Sequence, residues 1–195
     1  MGKIFYIMGK SSTGKDTIYK RLLSDRELGL KPIVIYTTRP IREGEHQGDE
    51  YFFTDEEGLE KIQKSGKLIE LRSYDTVFGI WKYFTADSPQ IDLEQENYLI
   101  IGVLDSFHAV RAYYGGDRVI PIYIEVEDGE RLQRALYRER REKKPCYQEM
   151  CRRFLTDSQD FSEDKIQAEE IYRRFYNQDL EECIREIRAF ILQHR

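Results

Sequence analysis

Apolar runs punctuate the chain at 4–8, 33–36, 98–103 and 119–126, with a weaker one at 171–176. They are short and rich in β-branched and aromatic residues, which predicts strands. Between them, apolar residues recur at three- and four-residue intervals over 17–24, 106–113, 129–141, 147–160 and 180–194, which predicts helices. Strands alternating with helices imply an α/β domain, a parallel sheet with helices on both faces. The 171–176 run carries Arg173 and Arg174 in its middle and reads as an edge strand or a helix. Two stretches break the alternation. Residues 37–86 are charged, aromatic and rich in short elements, and predict a small lobe inserted after the second strand. From Arg138 to Pro145 the chain is basic and ends in a helix breaker. That run reads equally as a solvated helix end or as a mobile lid carrying arginines.

Bulk properties narrow the class. With 195 residues, 40% hydrophobic and 34% charged, the chain suits one folded domain over 1–195. Its core is expected at 1–36, 87–137 and 161–195, the lobe at 37–86 and the lid region at about 138–160. No apolar run reaches membrane-spanning length, and the first strand starts too early for a cleaved leader to precede it. The net charge of −5 argues against broad nucleic-acid binding but leaves room for a small phosphorylated ligand. Cys146, Cys151 and Cys183 are odd in number and lack Cys-x-x-Cys spacing, which reads as reduced thiols in a cytoplasmic protein. His46, His108 and His194 are scattered and suggest no metal cluster.

The chemistry begins at Gly9-Lys10-Ser11-Ser12-Thr13-Gly14-Lys15-Asp16-Thr17, between the first strand and the first helix. Gly-x-x-x-x-Gly-Lys in that context turns successive backbone N–H groups onto an anion at a helix N-terminus. Lys15 would reach the outer phosphates of a nucleoside triphosphate. Asp16 stands where a Mg²⁺-ligating hydroxyl is usual, with Thr17 one step later; a carboxylate can hold Mg²⁺ directly or through water. A second anion site follows. Arg39 and Arg42, three apart, can fork onto a phosphate, and a tyrosine hydroxyl could add a donor.

The series Thr37-Thr38-Arg39-Pro40-Ile41-Arg42-Glu43-Gly44-Glu45, then Gly48-Asp49-Glu50-Tyr51-Phe52-Phe53, then Leu68-Ile69-Glu70, resembles guanylate kinase. The resemblance continues more weakly through 130–141, Met150 to Leu155, and Tyr176-Asn177-Gln178-Asp179-Leu180. It implies a fold of the P-loop NTPase type with an inserted NMP-binding lobe and a short lid. It implies ATP as co-substrate and Mg²⁺ as cofactor. Residues 9–17 and Asn177 would hold ATP, with Asp16 and Thr17 at the metal. Arg39, Arg42 and Tyr51 would hold the GMP phosphate, Glu70 the guanine N1–H and 2-amino group, and Phe78 and Gly79 would border that site. Lys15, Arg39, Arg138 and Arg153 would act on the transferring phosphoryl group, with Arg134 and Arg152 as alternatives in the lid. The implied activity is in-line transfer from ATP to GMP or dGMP, which rests on positioning and charge neutralisation. Partners would be small nucleotides, with no nucleic acid or membrane, and the protein a monomer or homodimer.

The chain also departs from that family. Phe78-Gly79-Ile80 stands where the family has Tyr-Gly-Thr or Tyr-Gly-Ser, and Ile35 where it has a serine. Ile101-Gly102-Val103-Leu104-Asp105-Ser106 replaces its acidic motif, with Asp105 as a displaced substitute. Each missing polar contact would cost about 1–3 kcal/mol. Tyr74 and Trp81 could stack on a base, or fill the lobe's core. These departures keep two alternatives open. One is a kinase of the same fold for another small phosphorylated acceptor such as ribose 1,5-bisphosphate. The other is a catalytically weak module that binds phosphopeptides.

Overall fold

A computed structural model of the chain describes residues 1–76, 78–88 and 91–195. Its centre is β1 (Ile4–Met8), in which all five residues are buried. Apolar residues on both faces are what a central parallel strand requires. β1 lies between β7 (Asn97–Ile101) and β8 (Val119–Glu125); β2 (Leu30–Pro32) and β9 (Arg174–Tyr176) form the edges, and every pairing is parallel. Side chains alternate across β1. Ile4, Tyr6 and Met8 join a core with Phe107 and Val110 of α3 (Leu104–Tyr114). Phe5 and Ile7 join another, with Ile18 and Leu22 of α1 (Lys15–Leu23) and Ile187 and Ile191 of α7 (Leu180–His194). The expected α/β sheet with helices on both faces is present.

The 33–36 run is not a strand. β2 ends at Pro32, and β3 (Tyr36–Thr37) already belongs to a second sheet. The run is apolar because it crosses between sheets: Ile33 N–H donates to Leu99 O in the first, and Ile35 O accepts from Phe52 N–H beside the second. The 171–176 run yields only β9, an edge strand, where Arg174 can reach out to Glu125 and Glu163. α6 (Glu163–Ala168) was not foreseen, because six residues are too few to display a helical period.

The second sheet, ordered β4-β3-β6-β5, forms the inserted lobe with β4 (Phe52–Phe53), α2 (Glu56–Lys64), β5 (Leu68–Thr76) and β6 (Gly79–Ala86). The lobe is not made of short elements alone, since β5 and β6 form an antiparallel ladder of nine and eight residues. Tyr36 stacks on buried Phe84 at 5.1 Å and tilts against Phe52 at 5.0 Å, filling its core. Beyond β8, α4 (Asp128–Glu139) leads across the 140–146 connection to α5 (Tyr147–Asp160), which packs back on α4. Among the described residues no helix is long and apolar enough to cross a membrane.

Candidate active site

The turn from β1 into α1 builds an anion-binding concavity. Gly9 has φ 155°, and a Cβ there would lie 2.4 Å from Ile124 O on the neighbouring strand. Gly14 has φ 84° and caps α1; a Cβ there would meet Asn177 Nδ2 at 2.5 Å. Ser12 also takes a positive φ, 65°. No side chain caps α1, so the N–H groups of its first turn, at Lys15, Asp16 and Thr17, face outward with the helix dipole behind them. The Ser12 hydroxyl is fully buried with no partner among the described residues. These features fit a phosphate chain. The Lys15 side chain is 19% exposed, its Nζ 4.0 Å from the Asp16 carboxylate. Lys10 Nζ lies 3.4 Å from Asp128. Asp16 and Thr17 are exposed at the helix start.

Two side chains that spacing did not single out, Asp157 and Arg131, hold the loop's shape. Asp157 of α5 accepts the Ser11 N–H at 2.7 Å. Arg131 of α4, 1% exposed, donates through Nε to Ser11 O at 3.0 Å and through Nη2 to Asp157 at 3.2 Å, and also pairs with Asp128. Its guanidinium lies over the Phe154 ring at 4.8 Å. Asn177, expected at the nucleotide, is buried behind the loop, where Nδ2 donates to Thr13 O at 2.8 Å.

The residues expected at the acceptor phosphate lie on the lobe. Arg39 is only 3% exposed, and its guanidinium carbon is 5.4 Å from the centroids of both the Tyr51 and Phe53 rings. Nη2 donates to Glu45 at 2.7 Å and Nη1 to Pro40 O at 2.8 Å. The Arg39 hydrogen bond holds the Glu45 carboxyl below its ordinary pKa. Burial raises the Tyr51 hydroxyl above its ordinary pKa, as does neighbouring Tyr83, against an opposing effect of Arg39; Asp16 of the loop also raises it. Arg42 is exposed, its backbone N–H donating to the same Glu45 carboxylate at 2.8 Å and its guanidinium over Trp81 at 5.9 Å.

Glu70 is met by Arg72, whose Nε and Nη2 donate to it at 2.9 and 3.2 Å, and by the Thr85 hydroxyl at 2.8 Å. Arg72 escaped the sequence reading, although the Glu70-Leu71-Arg72 alternation on one strand was the available signal. Phe78, Gly79 and Ile80 are exposed at the turn between β5 and β6, where Phe78 stacks on Trp81 at 5.9 Å. Tyr74 packs edge-on against Tyr83 at 5.6 Å. At the end of β7 the Tyr6 hydroxyl bonds Ser106 Oγ, and a Cβ at Gly102 would lie 2.0 Å from that hydroxyl. Burial raises Tyr6 well above its ordinary pKa. Asp105 is exposed in the first turn of α3.

The four arginines expected at the transferring group sit on α4 and α5. Arg134 donates to Glu130 at 2.8 Å and to Asn177 O at 3.1 Å, close behind the loop. Arg138 is exposed at the end of α4. Arg152 and Arg153 both donate to Glu149, and together they pull its carboxyl down to a pKa of about 2.

Comparison with known proteins identifies the family. The guanylate kinase family model matches residues 1–194. A guanylate kinase of Porphyromonas gingivalis is 29% identical over 99% of this chain and 98% of its own length. One from Neisseria gonorrhoeae is 34% identical over 63% of this chain and 58% of its own. The crystal structure of guanylate kinase from Anaplasma phagocytophilum superposes with a TM-score of 0.66 at 20% identity, covering 98% of this chain and 85% of that one. The chain belongs to the guanylate kinase family and is a nucleoside monophosphate kinase.

Proposed function

We propose that the protein transfers the γ-phosphoryl group of ATP to GMP, and to dGMP, in the cytoplasm. The observation that carries this reading is the presence of two cation-bearing sites in one chain: the open N-terminus of α1 with Lys15, and the buried Arg39 guanidinium beside the Tyr51 and Phe53 rings. Residues 9–17 cradle the triphosphate, and Lys15 neutralises charge on its outer oxygens. Arg39 and Tyr51 hold the acceptor phosphate; Arg42 joins them when the lobe closes, giving up Trp81. Arg138 and Arg153, released from solvent and from Glu149, close over the transferring group. Asp16 and Thr17 would hold Mg²⁺, which supplies neutralisation of the developing phosphate charge. Glu70 faces the acceptor's base. A coupled assay of ADP release across the nucleoside monophosphates tests this. Absence of turnover with GMP and dGMP at millimolar concentration would sink it.

One observation favours a second reading. Arg72 neutralises Glu70, which suits an acceptor without guanine, such as a ribose bisphosphate. Activity that survives Glu70→Ala would support that acceptor, because a guanine-specific site loses most of its rate.

A further inference from the structure

Asp157 and Arg131 are assigned to neither substrate, yet they join the phosphate loop to the helix that carries Arg153. One atom makes the junction. Asp157 Oδ2 accepts the Ser11 N–H at 2.7 Å and Arg131 Nη2 at 3.2 Å, while Arg131 Nε donates to Ser11 O at 3.0 Å. Side chains of α4 and α5 thus hold both backbone polar groups of one loop residue. Asp128 extends the network, pairing with Arg131 and, at 3.4 Å, with Lys10 of the loop. Lys10, Arg131, Asp128 and Asp157 are two cations and two carboxylates, so the network adds no net charge beside a triphosphate. What it supplies is position.

α5 depends on that supply. None of its residues from Tyr147 to Asp160 is buried, so apolar burial along the helix does not fix its place. The Phe154 ring lies under the Arg131 guanidinium at 4.8 Å, and Phe161, just past the helix, is buried and stacks on Tyr123 at 5.8 Å. Arg153 and Asp157 are four residues apart and therefore share one face, one turn from each other. A helix pinned at Asp157 carries Arg153 at a fixed offset from Ser11.

We propose that Asp157, clamped by Arg131, is a positioning residue for phosphoryl transfer, setting Arg153 against the loop that holds ATP. This rests on the function proposed above, in which Arg153 closes over the transferring group. Arg153 then reaches that group by changing rotamer and leaving Glu149, while the backbone of its helix stays tied to the loop. A catalytic group misplaced by about 1 Å can cost about 100-fold in rate, so loss of the tie slows the reaction although Asp157 touches no substrate.

The test is a double-mutant cycle in steady-state rates, with ATP and GMP varied separately. It compares wild type, Asp157→Ala, Arg153→Ala and the variant carrying both, with Asp157→Asn beside them. Asp157→Ala is expected to lower kcat by about 10- to 100-fold and to change KM for GMP by less than about threefold. Asp157→Asn keeps an oxygen that can accept from Ser11 and Arg131, and should hold kcat within about fivefold of wild type. The double variant should be no more than about threefold slower than Arg153→Ala, because an absent arginine cannot be misplaced. Costs that multiply overturn the inference. So does a loss confined to KM for ATP, which would leave the loop's shape as the whole role of Asp157. An Asn variant as slow as the Ala variant overturns it, since charge and not position would then be at work. An Arg153→Ala enzyme with the wild-type kcat overturns it as well, for nothing would remain to be positioned. If Asp157→Ala does not fold, Asp157→Glu, longer by one methylene, takes its place in the cycle with the same expected direction. If the wild-type protein turns over neither GMP nor dGMP, the proposed activity fails and this inference with it; GMP turnover with multiplying costs overturns this inference alone.

Discussion

The carboxylate of Asp157 accepts the backbone N–H of Ser11 at 2.7 Å, which ties the phosphate loop to α5, the helix that ends the lid region. Arg131 closes the same link from α4, bonding Ser11 O and Asp157 while 1% exposed. A buried ion pair adds little over apolar packing, but loss of one partner strands the other. Arg131→Ala is therefore expected to destabilise the protein by about 3 kcal/mol, seen by calorimetry as a Tm lower by roughly 6–12 °C. A change below about 1 kcal/mol would mean the network does not hold the loop.

Lys15 has one ionic neighbour among the described residues, Asp16 at 4.0 Å, and so supports little of the fold. Lys15→Ala should leave Tm nearly unchanged and lower kcat by about 100- to 1,000-fold, the loss seen when a preorganised charge-stabilising donor is removed. Steady-state rates beside a thermal melt separate the two effects. A variant that keeps its rate would remove Lys15 from the chemistry.

Glu149 carries a pH signature. Arg152 and then Arg153 hold its pKa at about 2, below the ordinary 4.5, in the folded state. A depressed carboxylate contributes stability above its unfolded pKa and loses it as pH falls towards the folded one. Urea unfolding of wild type and Glu149→Gln should therefore differ above about pH 4.5, with the gap closing as pH drops towards 2. The gap will be small because the pair is partly solvated. A gap that widens on acidification contradicts the assignment.

The thiols divide by burial. Cys146 and Cys151 are exposed, whereas Cys183 is buried in the α1–α7 core with its pKa pushed up to about 12. A thiol-specific reagent at neutral pH should label two cysteines in the native protein and the third only in denaturant, because the thiolate is the reactive form. Native labelling of Cys183 would show that core to open readily.

Much of the framework was legible along the chain. The all-apolar Ile4–Met8 run and the glycine loop after it needed no tertiary information, because a central parallel strand and a tight anion-binding turn are both local patterns. Leu180–His194 and Tyr147–Asp160 were also delimited correctly by their periodicity. The 33–36 run misled because apolarity marks burial, and crossing between two sheets is buried without being a strand.

The acceptor and lid residues followed a different rule. Spacing and the family resemblance marked Arg39, Tyr51, Glu70 and the lid arginines as candidates, but not their partners. Glu45 sits on Arg39, Arg72 on Glu70, and Glu149 on Arg152 and Arg153. Asp157 reaches Ser11 from 146 residues away, and Asn177 reaches Thr13 from 164. Local pattern decided that a phosphate loop precedes a helix, because backbone conformation depends on neighbouring residues. Which charges are already satisfied depended on side chains brought together only by folding.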